Sequence, residues 1–265
     1  NCTSFPTPKC ILLIFIQFSN KFRILYCALL SVCAIIKCWN HRTKIRCIKG
    51  NISRMRMRKK KNLDVRFAAC ADVMAFEPKE KRGKWRALFG NDNPIYLEIG
   101  CGKGQFITSC ALNHPERNYI AIEGQSNVAL RALQKAEEKS MANLRIFIAY
   151  VSDLKEYFDA GELAGIYLNF SDPWPKARHA KRRLTHRNFL AKYQRLLGKG
   201  GHLRFKTDNR ALFDFSVEEF KEFGLEIIAL SYDLHNSDYD NEVQTEYERK
   251  FSSLGTPINF CEVVF

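Results

Sequence analysis

At 265 residues and 30.7 kDa, the chain has room for one ordinary domain with a sizeable core plus an extension. A formal net charge of +14 and a pI near 9.4 point toward nucleic acid or an anionic surface. Beyond residue 54 the cysteines are only Cys70, Cys101, Cys110 and Cys261, and none of the six histidines forms an HxxxH or HExxH pair. That spacing excludes a disulfide framework and a zinc site, so no metal is expected, and a reducing compartment, the cytoplasm, is.

The charge is unevenly spread. Residues 1–54 hold 9 Lys/Arg, six of the 10 cysteines and no Asp or Glu, which leaves 33 basic against 28 acidic residues in the rest. The apolar stretches Ile11 to Phe18 and Ile24 to Ile36 are each shorter than the roughly 20 residues a membrane-spanning helix needs. Three readings of this segment stand: a targeting segment, an interfacial or membrane-anchoring segment, or upstream sequence preceding a start at Met55 or Met57. The third is expected, because Met55-Arg56-Met57-Arg58-Lys59-Lys60-Lys61 makes a natural N-terminus. The organisation expected is an extension at 1–54, a basic arm with a lead-in helix at 55–94, and an α/β domain at 95–265 with no membrane association for 55–265.

The first strand of that domain, Ile95–Ile99, runs into Gly100-Cys101-Gly102-Lys103-Gly104, and a helical pattern follows over Gln105–Asn113. Glycines at such a turn let the backbone approach a ligand closely. A second strand, Tyr119–Ile122, ends in Glu123, placed to accept hydrogen bonds from ribose hydroxyls. A dinucleotide fingerprint wants Gly or Ala where this chain has Gln105, and Glu98 beside the loop would repel pyrophosphate. A carboxylate there suits a cation such as the sulfonium or ammonium of S-adenosylmethionine. A methyl-donor pocket at Glu98, Gly100, Gly102 and Glu123 is therefore expected over a nicotinamide pocket.

Further along come a helix near Asn127–Lys139, a strand near Leu144–Ala149 ending at Tyr150, and a strand at Gly165–Leu168. That last strand feeds Asn169-Phe170-Ser171-Asp172-Pro173-Trp174-Pro175-Lys176, where two prolines end the strand and stiffen the turn. A Pro-rich turn with a capping Asp is the plain reading of this loop. The sharper one makes Asp172 a functional carboxylate at a strand's C-terminal end. The basic run Lys176, Arg178, His179, Lys181, Arg182, Arg183 is either a solvated face or a set of phosphate contacts that position an RNA.

A helix near His186–Leu197 and a strand at His202–Phe205 precede Lys206-Thr207-Asp208-Asn209. Asp208 is a helix N-cap or a partner of Asp172. A helix near Ala211–Phe223 and strands near Leu225–Tyr232 and Ile258–Val264 complete the pattern, with Gln244-Thr245-Glu246-Tyr247-Glu248 before the last strand. The run Thr245 to Glu248 fits a capping box as well as a binding segment. Such alternation predicts a mostly parallel seven-stranded sheet with helices on both faces. All the residues singled out then share one rim.

The blocks MRMRKKK (55–61), LEIGCGKGQF (97–106), AIEGQS (121–126), LNFSDPWPKARHAKRRLT (168–185), FKTDNRALF (205–213) and QTEYERKFSSLG (244–255) resemble the bacterial tRNA (guanine-N7-)-methyltransferases over residues 55–265. The resemblance implies a Rossmann-like methyltransferase fold, S-adenosylmethionine as donor and a guanosine of the tRNA variable loop as acceptor. Carried over by motif, Glu98 and Glu123 bind the donor and Asp172 sits at donor and target. Lys176, Asp208, Thr245, Glu246, Tyr247 and Glu248 contact the substrate nucleotide, and the stretch Ala177 to Arg182 the RNA. Tyr150 departs from the family's Asp or Asn at the adenine, where backbone contacts, its ring or the nearby Asp153 would stand in. No stable protein partner is implied. A methyltransferase acting on another RNA or a small molecule is the alternative; it would keep the donor pocket but not need the basic run.

Overall fold

The computed structural model describes residues 62–151, 153–239, 243–252 and 255–265. The expectations for residues 1–54 and for the arm at 55–61 lie outside them. The chain divides into two units, Asn1–Met57 and Arg58–Phe265, and the architecture below is that of the second.

Two short helices, α1 (Leu63–Ala68) and α2 (Trp85–Phe89), lead into an alternation of strands and helices. In chain order these are β1 (Ile95–Ile99), α3 (Gln105–Asn113), β2 (Asn118–Glu123), α4 (Ser126–Glu138), β3 (Leu144–Ile148), β4 (Leu163–Asn169), α5 (Arg187–Leu196), β5 (Leu197–Thr207), α6 (Arg210–Phe223), β6 (Glu226–Ser231), α7 (Glu246–Ser252) and β7 (Asn259–Val264). The seven strands form one sheet in the order β3-β2-β1-β4-β5-β7-β6. The pairs among β1 to β5 are parallel, and β7 inserts antiparallel to both β5 and β6. The chain winds outward from β1 to β3, then returns to lay β4 on the other side of β1. That reversal opens a crevice at the carboxyl ends of β1 and β4, the place where open α/β sheets hold ligands.

The core has two layers because the sheet is buried on both faces. β2 is buried at five of its six positions, as expected of a central parallel strand. On one face Leu97, Ile166, Leu168 and Phe205 pack with Phe213 and Phe220 of α6. On the other, Tyr119, Ala121 and Ile146 pack with Phe106 and Ile107 of α3 and Leu133 of α4. The lead-in helix is fastened to the first face by Trp85, which is fully buried. Its ring stacks between Phe147 and Phe158 at 5.9 and 5.6 Å, and its Nε1 donates to the Tyr157 carbonyl at 2.8 Å. Burying that polar N–H without a partner would cost about 1–3 kcal/mol.

The predicted strand at His202–Phe205 is longer in the structure, Leu197–Thr207, because Leu197 also pairs with Leu163 across a register shift. The other predicted strands and helices agree to within a few residues. The last helix, α7, is absent from the predicted helices. It is a single short element after a turn, and its apolar period is too brief to read.

Candidate active site

The crevice begins with Glu98, the fourth residue of β1. Its side chain is buried, one oxygen accepts from Asn169 Nδ2 at 2.9 Å, and the other, Oε2, has no hydrogen-bond partner. Burial raises its carboxyl to about 7, opposed first by the Asn169 hydrogen bond; Glu123 adds to the rise and Lys206 opposes it. A buried carboxylate oxygen left without a donor is costly, and a cationic ligand would complete it. Beyond Glu98 the backbone turns through Gly100 and Gly102 at φ 80° and 58°, a left-handed conformation that favours glycine. A Cβ at either position would meet nothing within 4 Å, so the loop leaves an open cradle.

The loop is held from β2. The amides of Gly100 and Cys101 donate to the Ile122 carbonyl at 2.8 and 3.1 Å. Glu123 accepts from the amides of Gly102 at 3.0 Å and Gln125 at 2.9 Å. The acid predicted to meet the ribose thus also braces the glycine loop, with lone pairs to spare on each oxygen. Tyr150, just past β3, is 77% exposed, and its ring lies so close to Gly124 that a Cβ there would come within 2.6 Å of it. Asp153 instead caps the short 3-10 segment Leu154–Glu156 by accepting from the Lys155 amide.

Two adjoining cavities make up the crevice. One, of about 580 Å³, is lined by Glu98, Gly102, Phe106, Phe170 and Tyr247. The other, of about 380 Å³, is lined by Glu123, Gly124, Tyr150, Asp172, Trp174 and Arg182, and Gly100, Asn169 and Phe170 border both. Each volume falls in the range of about 300–1,000 Å³ usual for small-molecule sites. Asp172 is exposed at this mouth. The loop that carries it has left-handed backbone at Phe170 and Trp174, φ 51° and 42°. Such positions cost on the order of 1–3 kcal/mol each and persist where surroundings enforce them.

A family described as "Putative methyltransferase" matches residues 92–261. The chain is 48% identical over 209 residues to the tRNA (guanine-N(7)-)-methyltransferase of Bacillus subtilis (strain 168), covering 79% of this chain and 98% of that one. It is 52% identical over 188 residues to the enzyme of that name from Listeria monocytogenes serotype 4b (strain F2365), covering 71% and 88%. The chain belongs to the tRNA (guanine-N7-)-methyltransferase family. The fold is shared more widely: the 16S rRNA methyltransferase KamB superimposes with a TM-score of 0.51 at 12% identity, over 69% of this chain and 91% of that one.

In the loop after β4 of this methyltransferase, Lys176, Arg178, Lys181 and Arg182 are exposed, with Lys176 entering the 3-10 segment Ala177–Arg182. Arg182 and His179 both contact the Trp174 ring, at 4.8 and 5.8 Å. Arg183 turns inward, donating to the carbonyls of Pro173 and Trp174. Asp208 is not the cap of α6; Asn209 is, accepting from the Leu212 amide at 2.8 Å. That leaves Asp208 at the rim, where it accepts from the Tyr247 hydroxyl at 3.4 Å.

Thr245 and Glu248 form the capping box of α7: Glu248 accepts from the Thr245 amide at 3.2 Å and the Glu248 amide donates to Thr245 Oγ1 at 2.8 Å. Glu248 is fully buried and ion-paired with Lys206 at 3.3 Å, with His235 at 3.5 Å from its other oxygen. Lys206 is itself 4% exposed, and burial lowers its ammonium's affinity for the proton while Glu248 opposes the fall. These buried groups set the start of α7, which presents its next two residues to the crevice. Glu246 is ion-paired with Lys103 of the glycine loop at 3.0 Å. The ring of Tyr247 lies 4.7 Å from that of Phe170.

Neither Asn169, which borders both cavities, nor Lys206, which holds Glu248 at the start of α7, is among the residues expected from the sequence. Their signal was present, since each is a polar residue closing an apolar strand at the rim, and they pair side by side in the sheet. Among the described residues, no group of three His, Cys, Asp or Glu could hold a metal ion. None of their helices is long and apolar enough to cross a membrane.

Proposed function

We propose that this chain transfers the methyl group of S-adenosylmethionine to N7 of a guanosine in the tRNA variable loop, in the cytoplasm. The observation that carries the donor assignment is the buried, half-partnered carboxylate of Glu98 beside an open glycine cradle. When bound, S-adenosylmethionine supplies a methyl group on a positively charged sulfur. Glu98 and the cradle at Gly100 and Gly102 would hold its cationic part, Glu123 its ribose, and Tyr150 the adenine by stacking.

Guanine N7 exposes a lone pair on the major-groove edge, so no general base has to remove a proton before it attacks. Holding the two reactants in line then supplies much of the rate. The purine gains positive charge as it is methylated, and Asp172, exposed at the crevice mouth, would stabilise that charge as a preorganised carboxylate. Asp208 would accept from the donors on guanine's Watson–Crick edge, and Tyr247 with Phe170 would offer the base an aromatic surface. Lys176, Arg178, His179, Lys181 and Arg182 would hold phosphates.

Incubation of the protein with methyl-labelled S-adenosylmethionine and unmodified tRNA tests this reading. Nuclease digestion and mass spectrometry are expected to find 7-methylguanosine in the variable loop. Donor binding with unlabelled tRNA, while another RNA or a small molecule takes the label, would overturn the acceptor.

A further inference from the structure

Arg182 and Arg183 are adjacent and chemically identical, yet the structure gives them opposite surroundings. Arg182 is exposed, with its guanidinium 4.8 Å over the Trp174 ring. Arg183 is half-buried; its Nε donates to the Pro173 carbonyl at 3.1 Å and its Nη2 to the Trp174 carbonyl at 3.2 Å. The back of that guanidinium rests 4.2 Å from the centroid of Phe215, a residue of α6. One side chain thus ties the loop after β4 to a core helix through two successive carbonyls. The loop needs such a hold. Trp174 sits at φ 42°, a conformation that a non-glycine residue keeps only when its surroundings enforce it, and prolines flank it on both sides. Asp172 immediately precedes the first carbonyl that Arg183 grips.

We propose that Arg183 is a positioning residue for methyl transfer, a latch that fixes the loop so that Asp172 faces the crevice, rather than one of the RNA-contacting cations. The proposal rests on the role given to Asp172 above. A planar fork with several donors can bridge two carbonyls, whereas the point charge of a lysine cannot hold both in that geometry. The charge of Arg183 should matter little, and its shape a great deal.

The decisive measurement is single-turnover methyl transfer to unmodified tRNA, paired with tRNA affinity as a function of salt. The variants are Arg183→Lys, Arg183→Ala, Arg182→Ala, Asp172→Ala and the double variant Asp172→Ala/Arg183→Lys. In Arg183→Lys the transfer rate is expected to fall at least about tenfold, since misplacement by 1 Å can cost about 10²-fold, while donor affinity and the salt slope of tRNA binding stay at wild-type values. Added guanidinium ion should restore part of the rate to Arg183→Ala. Arg182→Ala should show the reverse pattern, with weaker tRNA binding and a flatter salt slope. The double variant should be no slower than Asp172→Ala alone, because the two act as a unit.

A wild-type transfer rate in Arg183→Lys would overturn the proposal, as would a loss confined to tRNA affinity and salt slope, or a double variant slowed by the product of both effects. If Arg183→Ala does not fold, Arg183→Lys decides alone. Near-wild-type turnover in Asp172→Ala would instead overturn the role of that carboxylate, whatever the Arg183 variants do.

Discussion

At the scale of single residues, Glu98 carries the most definite expectation. Its folded pKa of about 7 lies above the ordinary value of 4.5, with burial as the first cause. Only the ionised carboxylate attracts a cation, so donor affinity should rise with pH through about 7, and titration calorimetry on Glu98→Gln should show weaker binding with that dependence gone. The stability linkage follows from the same shift. A carboxyl whose pKa is raised by folding contributes stability that is fully present below about 4.5 and lost as pH rises through about 7. The thermal midpoint of the ligand-free wild type should therefore fall relative to Glu98→Gln over that window. Asp172→Ala should lower turnover about 10²-fold or more, the scale of one preorganised electrostatic group, with tRNA affinity near wild type in a filter-binding assay. The places of both acids, beside a glycine loop and a proline-stiffened turn, were legible in the sequence. The bracing of the loop by Glu123, and the closure of Glu98 by Asn169 across 71 residues, were not, because neither leaves a local pattern.

Among the elements, α7 is where local sequence and tertiary packing jointly decide. The spacing of Thr245 and Glu248 announces a capping box, and the structure forms it. The same Glu248 is also the buried partner of Lys206, 42 residues away, which no window on the sequence reveals. Replacing Lys206 by Met should leave a buried carboxylate without its cation and cost about 3–5 kcal/mol, read as a shift in the urea midpoint. Lys206→Met combined with Glu248→Leu should recover much of that loss. The helix α2 offers a comparison dominated by packing: Trp85→Ala, which also removes the hydrogen bond to the Tyr157 carbonyl, should cost about 3–5 kcal/mol, the range for truncating a buried Trp.

On the scale of the whole molecule, the basic 3-10 segment, with Arg182 at the mouth of the crevice, is proposed to hold the RNA, and its effect on affinity should be separable from the chemistry. Replacing Lys176 or Arg182 by Ala should each reduce the salt slope of tRNA binding by about 1 and weaken binding roughly uniformly across tRNAs. An unchanged slope would remove that residue from the phosphate contacts. A third cavity, of about 360 Å³, is lined by Tyr96, Tyr167, His202, Arg204 and Glu262 among others. There Glu262 is ion-paired with Arg204 and lies within hydrogen-bond distance, 3.0 Å, of His202 Nδ1.

The alternation of strands and helices, the glycine loop, and the acids and bases at strand ends were all determined by the sequence itself, because each depends on neighbours a few residues apart. The tertiary structure decided the order of the strands, with β4 set beside β1 and β7 inserted in reverse. It alone settled which polar groups are buried in pairs and which of two adjacent arginines faces the solvent. Those outcomes depend on contacts between residues tens of positions apart, whose free energies exist only once the sheet has closed its core.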